Sequence, residues 1–136
     1  MEIVISLGIL STIFSLGAFV SMDLYRSHVF AAEKMTLLTL LQKARGQSLH
    51  HINSAGHGVA IQSNAYIAFT GASYAQRDSI QDISFPAAPT IQRNGISEIA
   101  FTPLDAQVLT PGTITLSDTA HSATIVINAE GGVDWQ

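Results

Sequence analysis

The chain has 136 residues, a length that suits one domain and excludes a multidomain enzyme. Charged residues make up 12% of it against an apolar fraction of 47%, with a mean hydropathy of +0.31, so it carries about half the charge of an ordinary soluble domain. A net charge of −4 excludes a binder that relies on a basic tail for nucleic acid, and the absence of cysteine removes disulfides, thiolate metal sites and cysteine nucleophiles together.

The excess apolarity lies at the front. Ile3 to Met22 contains no Asp, Glu, Lys, Arg or His. As a helix rising about 1.5 Å per residue the run would reach roughly 30 Å, the hydrocarbon thickness of a bilayer. Its large side chains are distributed all round the helix, with Gly8, Ser11, Ser15, Gly17, Ala18 and Ser21 between them, a pattern that permits close helix–helix approach in lipid. A cleaved secretory signal fits less well, since no basic segment precedes the run and the helical pattern continues beyond it. Glu2 stands at its edge. By residue type it is either a side chain at the water interface or a functional carboxylate that needs a partner.

From Asp23 to Ile52 there is no proline and one glycine, Gly46, so nothing stops the helix where the apolar run ends. Phe30, Leu37, Leu41, Ala44 and Ser48 form an apolar stripe of helical period, with Leu38 and Ile52 beside it. Glu33, Lys34, Gln42, Lys43, Arg45 and Gln47 occupy the other side. Asn53-Ser54-Ala55-Gly56 supplies a stop, with Gly56 or Gly58 suited to a left-handed cap.

Beyond Val59 the period becomes two. Strands are expected at Val59–Ile61, Tyr66–Phe69, Ile80–Phe85, Glu98–Phe101, Ile114–Leu116 and Ala123–Ile127, and a last hairpin closes on Val133-Asp134-Trp135. Turn signals separate them at Ser63-Asn64, Pro86 to Pro89, Asn94-Gly95, Pro111-Gly112, Ser117 to Ala120 and Gly131-Gly132. One long helix followed by crowded strands gives an α+β fold in which antiparallel sheet covers the apolar stripe. The organisation expected is 1–22 as the membrane half of the helix, 23–55 as its amphipathic half, and 56–136 as a β-rich head.

The opening string MEIVISLGILSTIFSLGAFVSMDLYRS resembles the N-terminal segment of type IV pilins and type II secretion pseudopilins. Glu2 matches that superfamily's glutamate, and Ile3-Val4-Ile5-Ser6-Leu7-Gly8-Ile9-Leu10 matches the apolar stretch after it. AEKMTLLTLLQKARGQSLHH and VAIQSNAYIAFT are similar to the helix end and first hairpin of the H-type minor pseudopilins (the GspH/FimT group), with a small-Arg-x-x-small pattern at Ala44-Arg45-Gly46-Gln47-Ser48. The resemblance implies a pilin-like fold, leader removal by a prepilin peptidase, N-methylation, other pilin or pseudopilin subunits as partners, and pairing of Glu2 with a neighbour's N-terminal amine during filament assembly. It also implies a single-pass inner-membrane protein with its head in the periplasm or outside the cell. Two features depart from the pattern: Met1 stands directly before Glu2, and the frequent helix-kinking proline is absent. Arg26 and Lys34 follow the apolar run, and by the positive-inside tendency would hold the head in the cytoplasm. A basic leader ending in Gly, encoded upstream of Met1, would reverse that bias.

No enzymatic, metal or cofactor site is expected. His50, His51 and His57 cluster in sequence, but adjacent helical residues point about 100° apart, so they read as surface histidines. Gly56-His57-Gly58 lacks the rest of a phosphate-binding loop, and Gly71-Ala72-Ser73-Tyr74-Ala75 is similar to a nucleophile elbow without its final glycine or its strand-turn-helix setting. Asp78, Asp82, Asp105 and Asp118 stand in no calcium-loop spacing and read as solvated turn residues. The alternative function is a minor-pilin binding module for DNA uptake or adhesion. From Ala31 to Gln136, however, five basic residues (Lys34, Lys43, Arg45, Arg77, Arg93) face eight acidic ones, so nucleic acid is not an expected partner.

Overall fold

The computed structural model describes residues 2–136 and, within the first helix, leaves aside the side chains of residues 16–21. A single helix, α1, runs over Glu2–Leu49. At about 1.5 Å per residue it is roughly 70 Å long, and with no proline anywhere in it the hydrogen-bond ladder runs without interruption past its three glycines, Gly8, Gly17 and Gly46. In the first half, hydroxyls bond back along the helix: Ser6 Oγ to Glu2 O (2.9 Å), Thr12 Oγ1 to Ile9 O (2.8 Å) and Ser15 Oγ to Thr12 O (3.0 Å). These three hydroxyls are thus satisfied within the helix itself.

The strands are β1 (His57–Ile61), β2 (Ala65–Thr70), β3 (Ile83–Pro86), β4 (Gln92–Gly95), β5 (Glu98–Phe101), β6 (Gly112–Ser117), β7 (Ser122–Ile127) and β8 (Val133–Trp135). They form two antiparallel sheets, in the orders β3-β2-β1-β5 and β4-β6-β7-β8. Only Ile96 and Ser97 separate β4 from β5, so the chain crosses from the second sheet to the first in a single short step. The alternation expected of half-buried strands is present: Ile99 and Phe101 of β5, Ile114 and Leu116 of β6, and Ala123, Ile125 and Ile127 of β7 all face inward. They join Phe30, Leu37, Leu38, Leu40, Leu41 and Ala44 of α1 in one continuous core.

Where α1 ends, the expected glycine cap is replaced by other residues. His51 (φ 51°), Asn53 (φ 57°) and Ser54 (φ 54°) take the left-handed conformations, around a 3₁₀ turn at Ile52–Ser54. Gly56 and Gly58 are instead needed for close approach. A Cβ on Gly56 would lie 2.5 Å from the Phe101 carbonyl oxygen, and one on Gly58 would lie 2.3 Å from the Phe69 ring. Gly58 pairs with Phe69 across β1 and β2, so the ring covers the bare backbone opposite it. Tyr74 meets Phe69 edge-on (5.8 Å between centroids), Arg77 lies 3.7 Å over the Tyr74 ring, and Arg77 Nε donates to Asp82 (2.7 Å). This stack fastens the long β2–β3 loop to the face of the sheet turned away from α1.

Two strand expectations are corrected. Ser79–Gln81 is a 3₁₀ turn rather than the start of a strand, because the Asp78 carboxylate accepts from Ile80 N (3.2 Å) and Gln81 Nε2 (2.9 Å). Asn94-Gly95, expected as a turn, belongs to β4. As an edge strand β4 needs no apolar alternation, and Gly95 (φ 117°) admits the Thr113 carbonyl, which would lie 2.1 Å from a Cβ there. Ile52, placed beside the buried stripe, is exposed because the helix has already ended. The core assignment gives a direct test. Leu41 is fully buried, so Leu41→Asp is expected to destabilise the head by about 4 kcal/mol or more, measured by chemical unfolding of the full chain in detergent.

Candidate functional site

Three features of α1 carry the functional argument: its first turn, its exposed apolar half, and the place where its second half locks into the sheets. Glu2 lies in the first helical turn, exposed, where the helix dipole favours a carboxylate. After it, Ile3 (76% exposed), Val4, Ile5, Leu7, Ile9, Leu10, Ile13 and Phe14 (78%) form an apolar surface that no part of the head covers. Among the described residues, no helix is long and apolar enough to cross a membrane. The expected span, Ile3–Met22, takes in residues 16–21, whose side chains lie outside the described ones, as does Met1, on which the leader expectation turns.

The lock is built on Glu33. Assigned by helical period to the polar side of α1, Glu33 is in fact 7% exposed. Its carboxylate takes hydrogen bonds from the Arg93 guanidinium of β4, the Tyr66 hydroxyl of β2 (2.7 Å) and the Ala88 amide (3.2 Å). Arg93 also donates to the carbonyls of Ser63 (3.1 Å), Ile91 (2.9 Å) and Ala88 (2.9 Å), and its Nε donates to Tyr66 Oη (2.8 Å). Burial works against the Arg93 charge, but the hydrogen bonds to Glu33 and Tyr66 override it and hold its pKa above the usual value. Burial likewise pushes the Tyr66 hydroxyl well above its ordinary range, so it stays protonated as a donor. One residue from the helix and one from each sheet therefore meet at a single buried ion pair.

The small-Arg-x-x-small pattern has a plain physical meaning at the end of the helix. Ala44 and Ser48, four apart, share the buried face and let β1 and β5 come close. Ser48 Oγ donates to Phe101 O (3.2 Å) and accepts from His57 N (2.9 Å), while Ser48 O accepts from Leu104 N (2.9 Å). Arg45 lies beside Gly131 of the β7–β8 turn, whose positive φ of 74° needs glycine. His57, expected on the surface, is buried, with Nε2 2.9 Å from Ile52 O and Nδ1 3.3 Å from Thr70 Oγ1. His50 and His51 follow the helix end, and among the described residues no three metal-capable side chains converge. Ser73 caps a 3₁₀ turn through Gln76 N (3.3 Å) rather than facing a base. The four aspartates serve turns and pairs: Asp78 caps Ile80, Asp82 meets Arg77, Asp105 accepts from Thr102, and Asp118 accepts from Ala120 N and His121 N.

A long helix half bare and half seated on antiparallel sheet is the architecture of a pilin-like subunit. The family described as type II transport protein GspH matches residues 34–131, and the chain belongs to that family. It is thereby a pseudopilin of type II secretion at the family level, and the family is structural rather than enzymatic. Comparison with curated proteins and with solved structures gives no match.

The lock makes a distinctive prediction for stability. Glu33→Ala should cost about 3–5 kcal/mol, because it strands a buried guanidinium, and Arg93→Ala a similar amount. The double variant should fall well short of the sum of the two, which a double-mutant cycle in denaturant would measure.

Proposed function

We propose that the chain is a filament-forming pseudopilin, anchored in the inner membrane by the first half of α1 and assembled through that same half, with the head outside the membrane. What supports this most is the division of one unbroken helix: residues 30–48 are seated on the sheets, whereas the apolar surface from Ile3 to Phe14 is bare. Apolar side chains so exposed need lipid or the helices of other subunits around them. The domain division at 1–22, 23–55 and 56–136 follows from the same reading.

Glu2 is the assembly residue in this proposal. When helices bundle, a carboxylate at the end of an apolar segment loses water and needs a cation, which a neighbour's N-terminal amine supplies. Removing it leaves that amine unpaired at about 3 kcal/mol, roughly a hundredfold in an assembly equilibrium. Glu2→Ala should therefore leave the unfolding curve of the head unchanged while sharply reducing recovery in sheared or cross-linked filaments. Normal assembly by this variant would take Glu2 out of the mechanism.

A further inference from the structure

A groove of about 610 Å³ opens where the bare half of α1 gives way to the head. Met22, Tyr25 and Val29 of α1 form one wall, Ile91 and the loop before β4 form another, and Asp118 of the β6–β7 turn stands at the third. Its lining is mostly apolar but carries one charge of each sign, Arg26 and Asp118. The two do not pair with each other, and Arg26 makes no salt bridge among the described residues.

The anion is fixed in place. Asp118 Oδ1 accepts from Ala120 N (2.7 Å) and His121 N (2.6 Å), and the His121 ring lies 3.3 Å from both carboxylate oxygens. Those backbone bonds, Ala120's first, hold the Asp118 carboxyl below its usual range, so it is ionised at neutral pH. His121 is in turn stacked on Phe30 (5.3 Å between centroids), which ties the whole turn to the helix. The cation, by contrast, sits on a long exposed side chain. A fixed carboxylate and a free guanidinium on the walls of an apolar trough complement a ligand that carries a phosphate, an ammonium and hydrocarbon together. An anionic lipid would offer no ammonium to Asp118 Oδ2, which among the described residues meets only the His121 ring (3.3 Å), and free phosphate would leave the apolar walls bare.

Position selects the same ligand. Met22 is the last residue of the charge-free run, and Arg26 lies about 6 Å further along the axis. If that run spans the bilayer, the groove sits at the depth of the headgroups, where a tyrosine such as Tyr25 is also at home. We propose that the groove binds one zwitterionic aminophospholipid of the surrounding bilayer. Arg26 takes its phosphate, Asp118 takes its ammonium, and Met22, Tyr25, Val29 and Ile91 line its glycerol and first acyl carbons. This rests on the membrane-anchored reading above. A subunit that leaves the bilayer for a filament must release the lipid, which frees both charges for contacts with protein.

The test uses the full chain, isotopically labelled, in detergent micelles. It is titrated with short-chain phosphatidylethanolamine and, separately, with phosphatidylglycerol of the same chain length, while the Ile91 and Thr119 amide resonances are followed. Saturable shifts are expected at about tenfold lower concentration for the ethanolamine lipid, the size of one charge-assisted contact. Asp118→Asn keeps the oxygen that accepts from the turn amides and should erase the preference, whereas Arg26→Ala should weaken both lipids. Equal affinity for the two headgroups, or variants that titrate like the parent, would overturn the proposal. Flotation with vesicles of the two lipids tests the anchoring separately. A chain that fails to float yet shows the selective, saturable shifts would keep the groove and refute the anchor, and one that floats without headgroup preference would do the reverse.

Discussion

The fold turns on a carboxylate placed where a carboxylate is costly. Glu33 sits on α1 in a row otherwise made of Phe30, Leu37 and Leu41, and its charge is tolerable only because Arg93 and Tyr66 reach it from two different sheets. Buried ion pairs contribute little net stability against well-packed apolar residues, but they are unforgiving of displacement. Sliding α1 by one residue would move Glu33 by about 1.5 Å and turn it by about 100°, leaving two buried charges unmatched. Leucines alone would tolerate neighbouring registers. The ion pair therefore fixes which face of the helix the head grips and at what height.

That register matters because the two halves of α1 obey different solvents. Between Phe30 and Ser48 the helix is a core element, held at its end by the Ser48 bonds to β1, β5 and the loop after β5. From Ile3 to Ser15 it is bare, and the orientation of that stretch about the axis is set only through the gripped half. At the C-terminal side Lys34 lies 4.0 Å over the Trp135 ring, so the last strand also braces the helix close to the ion pair. A helix so held presents Glu2, the apolar surface and the groove around Arg26 in one fixed relation to the head.

Much of this architecture was legible in the chain, because hydrophobic periodicity reports burial directly. The stripe Phe30, Leu37, Leu41, Ala44 and Ser48 is the buried face, and most of the strands lie where the period becomes two. What periodicity misreads is polar groups recruited by tertiary partners. Glu33 and His57 look like surface residues until Arg93, or Ile52 O and Thr70, are brought alongside. β4, with the sequence Gln-Arg-Asn-Gly, carries no apolar signal at all, since its one inward side chain is the charged Arg93. The glycines at 56 and 58 were visible as special, but their reason is crowding by Phe101 and Phe69 rather than backbone handedness. The groove by Arg26 was not legible, because its walls come from three segments far apart in sequence.

The contact between Gly58 and Phe69 has a consequence for how such a chain can change over generations. The ring occupies the space that any side chain at 58 would require, a ring carbon lying only 2.3 Å from where its Cβ would stand, whereas ordinary contact needs well over 3 Å. Gly58 is held twice over, since a Cβ there would also lie 2.5 Å from the Ile99 carbonyl oxygen, so a small residue at 69 would uncover the backbone without making room for a side chain at 58. Tyr74 and Arg77, stacked outward from Phe69, extend that dependence into the β2–β3 loop. In a lineage of such heads Gly58 would stay fixed and Phe69 with its stacked partners would be kept to cover it, while the neighbouring loop residues that make no such contact remain free to diverge.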